Sequence, residues 1–256
     1  MDEQLSYPED GNARCLAIED SSFWFRHRNR CIVAAVSRYR PAGAIIDVGG
    51  GNGYVSRGLK QAGFTPILVE PGPHGAAAAS QRGIERVIQG TLGDAGFAEG
   101  SVAAAGLFDV LEHIERDDEM LLTLFNLLRP GGWLYLTVPA YQFLFSAVDH
   151  FSGHFRRYTC RSLTDGLRGA GFDMCYATYF FAPLVPPIFL RRAVSSWLRQ
   201  NPADIPPTDD SEHRVAGPQA AILDKLLSWE AHRIERGLRV PFGSSCLVVG
   251  RKPVPA

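Results

Sequence analysis

No stretch of this chain approaches the roughly 18 uninterrupted apolar residues that a membrane-spanning helix needs, so none is expected. Met1 to Asp20 is acidic and carries no apolar run, which argues against a secretory leader. Cys-x-x-Cys spacing is absent from the five cysteines (Cys15, Cys31, Cys160, Cys175 and Cys246), and their number is odd. A disulfide framework or structural zinc site is therefore not expected, and reduced thiols in a cytoplasmic setting are the natural reading. An excess of one charge is also missing: 26 Lys and Arg stand against 27 Asp and Glu, a formal net charge of -1. That balance offers no bulk attraction to nucleic acid, and no nucleic-acid partner is expected. No internal repeat is visible, and no lysine precedes Lys60, which removes the Gly-Lys-Ser/Thr core of a Walker A loop from the amino-terminal region.

What is present is a chain of 256 residues, 46% hydrophobic and 21% charged, long enough for one large core. Short apolar runs alternate with helical stretches. Ile45 to Val48, Pro66 to Glu70, Arg86 to Gln89, Ala103 to Phe108, Tyr135 to Pro139 and Cys175 to Tyr179 read as strands. Val55 to Ala62, Gly75 to Arg82 and Asp117 to Leu128 read as the helices between them. The pattern predicts an α/β fold with one twisted, mainly parallel sheet and helices on both faces.

The most informative segment is Ile45 to Gly53, where an apolar strand closes on Asp47 and turns through Gly49, Gly50, Gly51, Asn52 and Gly53. Glycines that accept positive φ and carry no Cβ let a strand bend sharply into a helix and let a ligand approach bare backbone amides. A dinucleotide fingerprint would place its third glycine where Tyr54 stands, which disfavours a dehydrogenase. Glu70 ends the second strand about 20 residues later, where an acid accepts the hydroxyls of a ribose.

Asp47 followed by the glycine loop, Asp109-Val110-Leu111-Glu112-His113-Ile114 after the fourth strand, and Leu128-Arg129-Pro130-Gly131-Gly132 before the fifth resemble, in this order, the motifs of class I S-adenosylmethionine-dependent methyltransferases of the small-molecule group. The resemblance covers about Phe23 to Thr178 and the last strand. It implies a Rossmann-like sheet of seven strands with an antiparallel last strand, here Ser244 to Lys252, and a helical insertion before it. It also implies S-adenosylmethionine as cofactor and S-adenosylhomocysteine as product. The cofactor-binding set it implies is Arg28, Asp47, Gly49, Gly50, Gly51, Asn52, Gly53, Glu70, Pro71, Thr91, Leu92, Phe108, Asp109 and Leu111. Thr91 stands where the family often has an acid beside the adenine, so that contact falls to its hydroxyl, to Asp94 or to backbone. In the L-x-P-G-G segment, Pro and Gly are expected to stop the preceding helix and turn the chain.

Two regions outside the cofactor frame carry chemistry of their own. Ser22 to Arg30, S-F-W-F-R-H-R-N-R, precedes an expected helix over Cys31 to Arg38 and resembles an amino-terminal cap; Trp24 is expected over the pocket, and Arg28, or secondarily Arg26, at the cofactor carboxylate. The same residues also suit an amphipathic helix start with its aromatics packed on the core. Asp149 to Thr159, D-H-F-S-G-H-F-R-R-Y-T, falls where substrate-facing loops lie. His154, then His113 and His150, are the candidate bases, and Trp24, Tyr141, Arg156, Arg157 and Tyr158 the candidate acceptor contacts. The alternative is a structural loop whose arginines pair with Asp149 or helix ends. Methyl transfer requires no metal, and the His/Asp spacing offers no compelling ligand set.

Phe180 to Arg192 is apolar and then basic, suited to a hydrophobic lid or an interfacial element, and Gln200 to Gly217 reads as an exposed loop. Gln219 to Leu238 has helical periodicity. The chain is accordingly read as one methyltransferase domain: cap helices over 1–40, cofactor core over 41–179, insertion over 180–240 and final strand over 241–256. The expected partner is a small-molecule, lipid-linked or glycan acceptor methylated at oxygen or nitrogen, with peripheral membrane contact compatible. The alternative is a catalytically silent cofactor-binding module acting through a partner enzyme.

Overall fold

The computed structural model describes residues 11–185 and 218–255. Seven strands form one sheet: β1 (Ile45–Val48), β2 (Pro66–Glu70), β3 (Val87–Gln89), β4 (Val102–Phe108), β5 (Leu128–Pro139), β6 (Asp173–Phe180) and β7 (Ser245–Arg251). Their spatial order is β3-β2-β1-β4-β5-β7-β6, with the pairs from β3 to β5 parallel and β7 antiparallel to both β5 and β6. β1 is the point from which the chain first builds outward to β2 and β3 and then returns to build the other way through β4. Ligands of open α/β sheets bind outside the carboxyl ends of the strands at such a reversal.

Burial on both faces explains the near-continuous apolar strands. Along each strand, neighbours alternate between two cores, as a period of two requires. Ile46, Ala105, Leu134 and Val248 pack with α5 (Asp117–Leu127) and α7 (Cys160–Gly169), through Leu121, Leu124, Leu163 and Leu167. Ile45, Ala104, Tyr135 and Val249 pack on the opposite face with α2 (Phe23–Arg38), α3 (Tyr54–Gln61) and α8 (Pro218–Glu235), through Ile32, Val36, Leu59, Leu227 and Ile234. The remaining helices are α1 (Gly11–Ile18), α4 (Pro73–Gln81) and the short α6 (Ala147–Phe151).

Two expectations are corrected. The aromatic and basic cluster before Cys31 is not a segment preceding a helix but the first turns of α2 itself: Ser22 caps it, its side chain accepting from the Trp24 amide at 3.1 Å. Nor does Pro130-Gly131-Gly132 form a free turn. The helix stops at Leu127 and the chain enters β5 at once; Gly131 donates to the Lys252 carbonyl, Lys252 donates back to Gly132, and the strand absorbs the irregularity as a register shift against β4. Residues 186–217, including most of the expected lid and the expected loop, lie outside the described residues; before them, Phe180 ends β6 and Ala182–Leu184 forms a 3-10 turn. Among the described residues no helix is long and apolar enough to cross a membrane.

Candidate functional site

The glycine loop leaves the carboxyl end of β1 with Gly49, Gly51 and Gly53 at φ of 66, 52 and 74 degrees, conformations that side chains disfavour. A Cβ at Gly50 would lie 2.7 Å from Leu68 Cδ1, and one at Gly53 2.9 Å from Ala79 Cβ, so the loop is pressed against β2 and α4 as tightly as backbone allows. At Gly51 an added Cβ would meet only the Asn12 Oδ1, at 3.4 Å. The cradle is therefore closed below by the fold and open above except for α1.

Glu70 ends β2 beside this loop. Its carboxylate accepts from the Gly51 amide at 2.9 Å and from the Gly72 amide at 2.9 Å, which fixes both oxygens at the loop. Asn12 of α1 donates to Glu70 Oε1 at 3.4 Å, while its carbonyl accepts from Asn52 Nδ2 at 2.7 Å. Asp47 is fully buried under the loop and accepts from Ser56 Oγ at 2.6 Å. Burial pushes its carboxyl up to about 6, against the opposing pull of the Ser56 hydrogen bond and the nearby Arg28 charge. Beyond β3, Asp94 turns its carboxylate back to accept from the Thr91 amide at 2.9 Å and from the Thr91 hydroxyl at 2.7 Å.

Arg28 reaches in from α2 and is buried at the tip of β4. Its Nε pairs with Asp109 Oδ2 at 2.5 Å, and its guanidinium also donates to the Phe108 carbonyl. It lies over the Trp24 ring at 5.5 Å, and Trp24 stacks on Phe181 at 5.5 Å and 8 degrees. Arg26 instead donates to the Ser21 carbonyl at 2.6 Å, on the exposed side of the helix start.

Asp109, Tyr141 and Phe181 are the described non-glycine residues with positive φ, at 58, 63 and 62 degrees. They follow β4, β5 and β6, whose carboxyl ends share one edge of the sheet. Strain of this kind, on the order of 1–3 kcal/mol each, persists where surrounding structure enforces it, often around ligand sites. Tyr141 is held by stacking on Phe143 and on Tyr179, each at 5.2 Å between ring centres.

The loop after β5 gathers the remaining candidates. His154 Nδ1 is 2.9 Å from Asp149 Oδ1, and Arg157 Nε donates to the same oxygen at 2.7 Å. Asp149 also closes a capping box with Ser146 at the start of α6. Burial alone would raise the Asp149 carboxyl, but the hydrogen bonds from His154 and Arg157 outweigh it and hold the group below the usual carboxylate range. Asp149 is thus ionised and Nδ1 of His154 carries the proton, leaving Nε2 as the acceptor face. His113, in the 3-10 turn Leu111–His113, meets the His154 ring edge to face at 4.6 Å. Burial, then the neighbouring His154, pushes the His113 imidazole down to about 3. Glu112 beside it is 1% exposed; burial and, secondarily, Asp109 push its carboxyl well up.

The structure thus brings His113 and His154 together and leaves His150 exposed on α6, against the Phe145 ring at 4.8 Å. Arg156 pairs with Asp117 at 2.8 Å, Tyr158 is buried with its hydroxyl donating to Asp117 at 2.7 Å, and Arg157 is committed to Asp149. In this arrangement these three residues hold the loop's shape. Pro71, Leu92 and Leu111 lie in the turn after β2, after β3 and after β4, with Leu92 and Leu111 buried. Asn12 and Ser56 are residues that sequence reasoning passed over; Glu112 stood only in the motif after β4 with no role given to it, and Asp149 only as the partner of the loop arginines in the structural alternative, the pairing that Arg157 makes. Asp149 also carried a local signal, the Ser-x-x-Asp spacing of a capping box with Ser146.

A family model described as "Methyltransferase domain" matches residues 24–177. An uncharacterized methyltransferase of Mycolicibacterium gilvum is 29% identical over 127 residues, 46% of this chain; the match spans about half of that relative, 50% of its length. Among solved structures, a SAM-dependent methyltransferase from Thermotoga maritima, described as a possible histamine N-methyltransferase, superposes with a TM-score of 0.56 at 18% identity, covering 94% of this chain and 93% of that one. Phosphoethanolamine N-methyltransferase 2 of Haemonchus contortus, in complex with S-adenosyl-L-methionine, gives 0.59 at 16% identity, covering 98% of this chain and 59% of that one. At these identities the structural likeness is one of fold.

Proposed function

Because the chain belongs to the methyltransferase family whose domain spans residues 24–177, a family dependent on S-adenosylmethionine, we propose that it transfers a methyl group from that donor to oxygen or nitrogen of a small-molecule, lipid-linked or glycan-type acceptor. The observation that carries this reading is the Glu70 carboxylate fixed by the Gly51 and Gly72 amides beside a glycine loop in which a Cβ at Gly49, Gly50 or Gly53 would clash.

The residues fit the cofactor. Glu70 would accept the ribose hydroxyls, Gly49 to Gly53 would lie under the methionine part, Leu92 would face the adenine, and Arg28 stands where a carboxylate could share its charge with Asp109. When bound, the cofactor supplies a methyl group already activated on a sulfonium. The protein's task is then to align an acceptor with that methyl and exclude water, which accounts for the enforced backbone at Asp109 and Tyr141. Trp24 and Tyr141 offer flat apolar walls at this edge. His154, oriented by Asp149, can take the acceptor's proton on Nε2. Phe143, 66% exposed, and Phe155, 44% exposed, support an acceptor with apolar character or one presented at a lipid surface.

Isothermal titration with S-adenosylhomocysteine and with NAD tests the donor, and incubation with labelled donor and cell extract tests transfer. The expected result is saturable S-adenosylhomocysteine binding, no NAD binding, and a protein-dependent labelled product. NAD binding alone would overturn the reading, and donor binding without any product would favour the silent module.

A further inference from the structure

Glu112, His113 and His154 offer one donor atom each, and these atoms all lie within 4.8 Å of one another at the carboxyl end of β4. Glu112 is 1% exposed, yet its Oε2 has no hydrogen-bond partner among the described residues. A buried ionised carboxylate without a donor or cation is costly, so in the bare chain this group keeps its proton, and a cation from outside the chain would displace that proton and complete the unpartnered oxygen. The guanidinium groups nearby do not hydrogen-bond that oxygen: Arg28 pairs with Asp109 and donates to the Phe108 carbonyl, and Arg157 donates to Asp149 and the Ala140 carbonyl.

We propose that Glu112, His113 and His154 bind a divalent transition-metal cation of the Zn2+ or Mn2+ kind. Two imidazoles and one carboxylate make the donor set of open three-ligand sites, which keep a position free for substrate. Neighbouring ligands of a tetrahedral ion lie about 3.4 Å apart at bond lengths of about 2.1 Å, so the cluster needs to draw in by roughly 1 Å. His154 sits on the loop after α6, tied to this turn by the Phe155 amide donating to the Glu112 carbonyl at 2.8 Å. The surrounding contacts are those of a metal-binding histidine: its Nδ1–H donates to Asp149, which Arg157 and Ser146 fix, so Nε2 is left to ligate, and with the ion bound it no longer serves as the base.

The role of the ion rests on the methyltransferase reading. Beside the methyl-transfer edge, a cation with an open position selects an acceptor with a hydroxyl and favours oxygen methylation. The hydroxyl's O–H bond breaks, its proton passing to water; the oxygen then forms the new O–CH3 bond as the carbon–sulfur bond breaks and its electron pair stays on sulfur.

The test uses the full chain, stripped with chelator and titrated with Co2+ while the visible absorption of the bound ion is followed. Saturation at one equivalent is expected, with His154→Gln weakening the affinity tenfold or more and Asp149→Asn, which removes the orienting carboxylate, weakening it about tenfold. His154 is partly exposed, so its variant folds even if a change at buried His113 does not. No saturable signal, or an affinity unchanged by His154→Gln, overturns the site; the latter would place the ion on surface thiols or imidazoles. S-adenosylhomocysteine titration in parallel separates the two readings: cofactor binding without Co2+ uptake sinks the metal site alone, and Co2+ uptake without cofactor binding upholds the site while removing its role in methyl transfer.

Discussion

Replacing Asp47 with asparagine should stabilise the protein at neutral and alkaline pH and lose much of that effect in acid. Asp47 is buried and its carboxyl is pushed from 3.8 to about 6 in the folded chain. A raised carboxyl means that the folded state binds its proton more readily than the unfolded chain. The cost of the ionised form is therefore fully present above the folded value of about 6 and fades as pH falls toward the unfolded value. The shift corresponds to about 3 kcal/mol at pH near 8 and roughly half of that at pH near 5. Asparagine is neutral throughout, and its carbonyl can still accept from Ser56. Urea unfolding of both proteins at the two pH values, with the difference between variant and parent as the readout, isolates this group from every other titrating residue. A variant less stable at pH near 8, or a difference identical at both values, would refute the reasoning.

Glu70→Ala should weaken S-adenosylhomocysteine binding about tenfold or more in calorimetry with an unchanged far-ultraviolet spectrum, and an affinity within twofold of the parent would refute a ribose contact. Gly53→Ala combines a φ of 74 degrees with a Cβ 2.9 Å from Ala79, and should cost about 1–3 kcal/mol, a fall of several degrees in Tm. Gly63→Ala, strained at φ of 82 degrees but with open space around it, should cost distinctly less in the same thermal scan. Glu230→Ala removes the partner of buried His27 and the acceptor of the Phe181 and Ala182 amides; chemical denaturation should show a loss of about 3–5 kcal/mol.

What the sequence made legible was local. The glycine loop, Glu70 at the tip of β2 and the alternation of strand and helix each lie within a few consecutive residues, and each forces its own backbone whatever surrounds it. Pairings across the chain were not legible. His27 meets Glu230 at 2.9 Å between α2 and α8, and His113 meets His154 across the mouth of the sheet; neither has a periodic or compositional signature, because only the assembled fold defines their distance. Ser22 to Arg30 misled for a related reason. Its arginines favour a helix, but Phe, Trp, His and Asn between them have only middling propensity, and packing against α8 and the sheet carries the aromatics into α2. The position of β7 between β5 and β6 likewise depends on non-local pairing that no short motif announces.

If Glu70 takes the ribose as proposed, its contact with Asn12 makes helix docking and nucleoside occupancy competitors for a single carboxylate. Glu70 Oε1 can serve the amide of α1 or a sugar hydroxyl, but the eight-residue helix shelters Gly51 only while it holds the first arrangement. On the reading proposed for Glu70, a donor would enter only when α1 releases that carboxylate, so the docked helix would slow association and would not retain bound product. Removing α1 would then speed uptake of the nucleoside.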